Sequence, residues 1–132
     1  MEPLLLKMQF PELSMVLNKC SLPLNKGDYI ELRATDSPIR TYTSGTSNSL
    51  PNYYGQTCAI CPKTSRVKVK LTTSANQYLR MVSLRNGVEV ESAGGTSTRS
   101  LEYTFTSPCD LIMAYRMGSA VATGTITITD NP

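Results

Sequence analysis

Histidine and tryptophan do not occur in this chain, and charged residues fill only 17% of its 132 positions. Without histidine the commonest general base and the commonest metal ligand are both missing. Long apolar runs are lacking too: nowhere do the roughly 18 residues needed for a membrane-spanning helix stand together. The sequence therefore predicts no helical membrane span and no membrane partner. A strong charge of one sign is equally absent, because thirteen Lys and Arg against ten Asp and Glu leave only +3, spread along the chain. So small and dispersed a balance predicts solubility and no nucleic-acid partner.

Catalytic signatures are missing as well. There is no G-x-S-x-G and no histidine to activate a serine or a cysteine. Gly94-Gly95 lacks the Lys-Ser or Lys-Thr of a phosphate loop. Paired carboxylates would need two acids facing one substrate, yet Glu31, Glu89, Glu91 and Glu102 fall at outward strand positions, where charge serves solubility. The expectation is no enzyme, no catalytic residues, no cofactor and no metal.

What is present is two-residue alternation, broken by turn chemistry about every ten residues, the pattern of strands with one buried and one wet face. Ser14 to Cys20 and Asp28 to Ala34 are predicted strands; the latter sets Ile30, Leu32 and Ala34 against Tyr29, Glu31 and Arg33. Arg66 to Thr72 alternates Val67, Val69 and Leu71 with Arg66, Lys68 and Lys70, a cation stripe that solvation of an open sheet face explains more simply than a polyanionic partner. Gln77–Leu84 and Val88–Glu91 flank Asn86-Gly87, which predicts a tight hairpin because both residues accept positive φ. Ser100 to Thr106 turns Leu101, Tyr103 and Phe105 inward after a small-residue loop at 93–98. Asp110 to Met117 is apolar on both faces, as a central strand should be, and Thr125 to Thr129 closes the chain with Ile126 and Ile128 inward.

The succession from Tyr78 to Thr129, a hairpin, a glycine-bearing loop, a Tyr-Thr-Phe-Thr strand, a proline turn and two last strands, resembles the second half of jelly-roll and carbohydrate-binding-type β-sandwiches. It is also similar to accessory modules on phage particles. The fold expected is all-β: a single jelly-roll-like β-sandwich of about eight antiparallel strands at 14–132, preceded by an N-terminal arm at 1–13.

Two regions stand out against that regular background. From Ser37 to Pro62 the pattern dissolves into Ser, Thr, Asn, Gly and Pro, with only Ile39–Thr43 strand-like, which predicts one long polar loop. Tyr42, Tyr53 and Tyr54 lie there beside Asn48, Asn52 and Gln56. Flat aromatic faces with amides nearby suit a glycan, and Tyr42, Tyr53, Tyr54, Asn52 and Gln56 are the candidate ligand-binding residues, packing of the loop onto the core being the plainer alternative. In the arm, Leu4, Leu5, Leu6, Met8 and Phe10 are too apolar for a free tail. They are the candidate assembly interface, docked on a neighbouring subunit or on the chain's own sandwich.

Four cysteines occur, and Cys58 and Cys61 form a lone C-x-x-C that fits half a zinc site, a redox pair or two unrelated thiols; Cys20 and Cys109 leave disulfides open as well. The segment from Met1 to Phe10 carries no basic residues ahead of its short apolar run and no cleavage site after it, so a native start there predicts cytoplasmic synthesis. Together these observations point to a non-enzymatic structural or assembly protein, a virion accessory such as a phage capsid decoration or a fibre-associated β-sandwich, made in the host cytoplasm and homo-oligomeric or part of a larger protein assembly. The alternative is an extracellular or cell-surface carbohydrate-binding or adhesin module using the tyrosine-bearing loop.

Overall fold

The computed structural model describes residues 6, 7, 16, 17, 19, 20, 22, 32, 33 and 39–132. These hold seven strands: β1 (Leu6–Lys7), β2 (Leu32–Arg33), β3 (Arg40–Thr43), β4 (Ser47–Cys61), β5 (Val67–Arg85), β6 (Val88–Phe105) and β7 (Leu111–Asp130). The last five make one mixed sheet in the order β3-β4-β7-β5-β6, antiparallel except for β3, which runs parallel to β4. The chain is all-β.

Strand length is the main departure from the sequence expectation of about eight antiparallel strands in a jelly-roll order. Segments expected as separate strands are parts of single long ones: Arg66–Thr72, from Val67 on, and Gln77–Leu84 both belong to β5, Val88–Glu91 and Ser100–Thr106, as far as Phe105, to β6, and Asp110–Met117, from Leu111 on, and Thr125–Thr129 to β7. The intervening Ser, Ala, Asn and Gly residues do not end the strands. They bend them, and the register slips between Thr72 and Gln77 on β5, and between Leu50 and Gly55 on β4. Extra residues of this kind bend a strand sharply while its ladder continues on either side.

The bend folds one sheet into two packed layers. Leu50, Val67, Val69, Leu71, Ile126 and Ile128 of one half and Cys58, Ile60, Leu79, Met81, Ile112 and Ala114 of the other share a single shielded cluster, which Phe105 joins. Burial this complete on one side of a sheet requires a facing layer, as in a β-sandwich. The opposite side of the second half is also apolar: Ala59, Val82, Leu84, Leu111, Met113 and Tyr115 are covered by Val16, Leu17 and Ile39. Both faces of β7 are therefore buried from Leu111 to Arg116, as its sequence foretold. The outward side of the first half stays open, with Lys70 opposite Glu102 and Ser47 opposite Thr127.

Three other expectations met different outcomes. Asn86 and Gly87 take φ of 51° and 78° and close the β5–β6 hairpin as foreseen. The long polar loop at 37–62 is instead occupied by β3 and the 15-residue β4. Its strand character is hidden because Gly55 to Ile60 are buried on both sides, so no alternation shows, while Ser, Asn and Pro fill the wetter first half. Val16, Leu17 and Lys19 are helical, not extended; the Cys20 N–H donates to the Val16 carbonyl at 3.0 Å, and Val16 and Leu17 reach the core side by side. Of the arm, Leu6 lies in β1, paired with Arg33 of β2, and Leu4, Leu5, Met8 and Phe10 lie outside the described residues.

Candidate functional site

A charged residue at a core position organises the bend. Arg116 continues the inward series Ile112, Ala114 on the central strand, is fully buried, and sits opposite Gln56 of β4. Its Nε and Nη2 donate to Gln56 Oε1 at 3.1 and 2.9 Å, Nη1 donates to Gln77 Oε1 at 3.1 Å and to the Ala122 carbonyl at 2.6 Å, and Nη2 also reaches the Pro51 carbonyl. Gln77, equally buried, donates its amide to the carbonyls of Tyr53, Tyr54 and Ala120 at 3.1 to 3.3 Å. Strands that bend cannot pair their own carbonyls continuously, and buried carbonyls left unpaired are costly. One guanidinium and the Gln77 amide satisfy those of the β4 and β7 bends at once, and Gln56 holds the guanidinium in place.

The surface above this network is the apex of the sandwich, where Pro51–Tyr54, Ser74–Asn76 and Gly118–Thr123 meet. The Thr123 N–H donates to Ser74 Oγ at 3.0 Å, and Thr73 Oγ1 donates to the Ala75 carbonyl at 2.8 Å. Tyr54 and Val121 are 48% and 42% exposed there, beside exposed Asn52 and Asn76, while Tyr53 is half-buried. The five ligand-binding candidates thus divide between surface and interior. Asn52, Tyr53 and Tyr54 stand at the apex; Gln56 lies beneath it, and its amide donates to the Tyr42 hydroxyl at 3.2 Å. Burial pushes the Tyr42 hydroxyl above its ordinary value, as does the neighbouring Cys58, with Gln56, Arg40 and Arg116 acting the other way.

Sequence reasoning did not find Arg116 and Gln77. The signal lay in phase: Arg116 follows Ile112 and Ala114 at two-residue steps, and Gln77 precedes Leu79 and Met81 in the same way.

The cysteines resolve by the same geometry. Residues three apart on a strand face opposite ways, so Cys58 points into the core while Cys61 pairs with Cys20 in a disulfide with Cα atoms 5.1 Å apart. The C-x-x-C therefore forms neither half a zinc site nor a redox pair with itself. Burial raises the Cys58 thiol to about 12, with Arg116 and Arg40 opposing, and raises Cys109 to about 11, helped by Asp110 and Glu91. Both stay protonated at neutral pH, and thiols in that state are poor nucleophiles.

Beside the disulfide lies a groove of about 480 Å³. Lys19 and Cys20 line it from the helical turn, Thr41 to Ser44 from the end of β3 and the turn after it, and Cys61 to Lys63 from the end of β4. Tyr42 is thus at once a groove residue and the outermost member of the buried network. Among the described residues, no group of three or more Cys, Asp or Glu side chains is placed to hold a metal ion. No helix there is long and apolar enough to cross a membrane.

No protein-family model matches the chain, and no curated protein matches it. Solved structures do. The pre-peptidase C-terminal domain of collagenase from Bacillus anthracis aligns at TM-score 0.52 and 6% identity over 71% of this chain and 97% of that one. PliG of Aeromonas hydrophila, a periplasmic inhibitor of g-type lysozyme, aligns at TM-score 0.42 and 8% identity over 68% and 96%. The first likeness shows the fold class: a β-sandwich domain built on a five-stranded mixed sheet.

Proposed function

We propose that this protein is a non-enzymatic attachment module acting outside a reducing cytosol, and that it meets its target through the apex at Asn52, Tyr53, Tyr54 and Val121. The observation that carries this is the Arg116–Gln56–Gln77 network directly beneath those residues. A buried charge with its hydrogen bonds rigidifies and specifies local structure more than it stabilises it. Contact surfaces gain from such support, because a preorganised backbone has little ordering left to lose on binding. The Cys20–Cys61 disulfide favours an extracellular or periplasmic setting, since such bonds persist where the medium is oxidising. The exposed tyrosine and asparagines suit a glycan-bearing surface.

The test is a glycan array read with the wild type and with Asn52→Ala plus Tyr54→Ala, their folds compared by circular dichroism. Binding by the wild type that the double variant loses supports the proposal; binding that the variant retains, or a wild type bound to no glycan, counts against it.

A second role, as a virion accessory that decorates a capsid or fibre as a homo-oligomer, is favoured by Val88 and Val90, 66% and 41% exposed on the edge strand β6. Unpaired edges and exposed valines are assembly material. Light scattering decides it: a defined oligomer that Val88→Lys dissociates supports this role, and a monomer at high concentration ends it.

A further inference from the structure

We propose that the groove beside the Cys20–Cys61 disulfide is a second binding site, separate from the apex, and that it takes a sugar carrying a carboxylate, of the uronate class. Its volume, about 480 Å³, lies within the range of small-ligand sites. Two ammonium groups, Lys19 and Lys63, line it from different segments, and among the described residues neither is paired with a carboxylate. An anion seated between them is recognised by charge-assisted hydrogen bonds, about twice as strong as neutral ones. The rest of the lining has the other half of the chemistry. Thr43 is exposed with its hydroxyl, Tyr42 contributes an aromatic ring, and the disulfide with Pro62 adds a less polar surface for a sugar's C–H face. Ser44 is turned away from this role, because its hydroxyl donates to Asp130.

The disulfide gives the site its permanence. Lys19 sits on a helical turn and Lys63 follows the end of β4, segments far apart in sequence, and the Cys20–Cys61 bond ties the two together one residue from Lys19 and two from Lys63. A covalent tie at that position holds the two segments that carry the cations together before the ligand arrives, which lowers the ordering cost of binding.

The experiment is an NMR titration of the oxidised, isotope-labelled protein with glucuronate, glucose and sodium sulfate in turn. Glucuronate is expected to shift the amides of Thr41–Ser44 and Cys61–Lys63 saturably, with glucose at least about tenfold weaker and Lys19→Met plus Lys63→Met weakening glucuronate by about tenfold or more. Both lysines are exposed, so the double variant should keep its fold, and its untouched spectrum elsewhere serves as the control. Glucose binding as well as glucuronate would remove the charge from the proposal, and sulfate displacing glucuronate at equal concentration would remove the sugar. Absence of any saturable shift in these two segments would overturn it altogether. Substitutions at Tyr54 should leave this titration unchanged, so that failure here and failure at the apex are told apart.

Discussion

Arg116 donates through Nη1 to Oε1 of Gln77 at 3.1 Å, and that side chain's amide donates onward to the carbonyls of Tyr53, Tyr54 and Ala120. A relay of this kind has no replaceable member, because removing any one leaves buried partners unsatisfied. Arg116→Met is close in length and lacks every donor, so it orphans the Gln56 and Gln77 oxygens and the carbonyls of Pro51 and Ala122. Losing one side of a buried charged network costs about 3–5 kcal/mol, and urea unfolding should show at least the lower figure. A loss under about 1 kcal/mol would mean the network is wet or loosely formed.

The Cys20–Cys61 bond closes 41 residues of chain. On the chain-entropy account, a loop of that size contributes about 3–4 kcal/mol. Reduction should therefore lower the thermal midpoint markedly, and Val16 and Leu17, packed on the sheet one turn before Cys20, should lose hydrogen-exchange protection ahead of β7. Thiol titration of the unreduced native protein should find Cys109 slowly reactive and Cys58 protected until unfolding, given its complete burial.

Gly124 of β7 lies tight against the β5 backbone. A Cβ there would collide with the Thr72 carbonyl oxygen and stand 3.5 Å from the Thr73 Cα, both on a backbone that the sheet holds in place. Gly124→Ala is expected to cost about 2–3 kcal/mol by overpacking. Val121→Ala, three residues earlier on the exposed apex, should change stability by no more than about 0.5 kcal/mol. Equal behaviour of the two variants would contradict the close approach.

Glu91, near the start of β6, ties down the backbone just past that strand's end. Its carboxylate accepts the backbone N–H groups of Thr106 and Ser107 at 2.9 and 2.8 Å and the Tyr103 hydroxyl at 2.7 Å. Burial works against the charged form, but the Ser107 N–H, the Tyr103 hydroxyl and the Thr106 N–H together outweigh it and hold the group below its ordinary value. A carboxylate with its folded value depressed adds stability that is fully present above its unfolded value and is lost as pH falls through the folded one. Stability should thus decline on acidification through and below the ordinary carboxylate range, and Glu91→Gln should flatten that acid limb while lowering stability at neutral pH. An unchanged acid limb in the variant would assign the effect elsewhere.

Much of the fold was written locally. Asn86-Gly87 specifies its hairpin through φ alone, and Val67, Val69 and Leu71 or Ile126 and Ile128 announce a buried face by alternation. The apolar residues from Leu111 to Tyr115 mark the central strand by the opposite sign, an apolar run on both faces. Where two halves join, local chemistry misleads: Ser74 to Asn76 and Gly118 to Val121 have the composition of loops and no ladder partners of their own among the described residues, and the ladders on either side carry the strands through them. β4 was hidden because burial on both sides erases the period of two. Of the candidate site, tyrosines and asparagines at the apex could be read from type and spacing. The support beneath them depends on Arg116 meeting Gln56 and Gln77 from other strands, a tertiary fact that the sequence marks only by placing polar residues in phase with Ile112, Ala114, Leu79 and Met81.

The most direct test of this account is the exchange of the Arg116 side-chain Nε–H with water, followed by NMR in the native protein at neutral pH. A guanidinium fully enclosed under the bend, bonded to Gln56, should show a resolved Nε–H that exchanges as slowly as the core amides of β7. An Nε–H that exchanges as fast as that of a surface arginine would contradict the folded-over sheet and the rigid apex together.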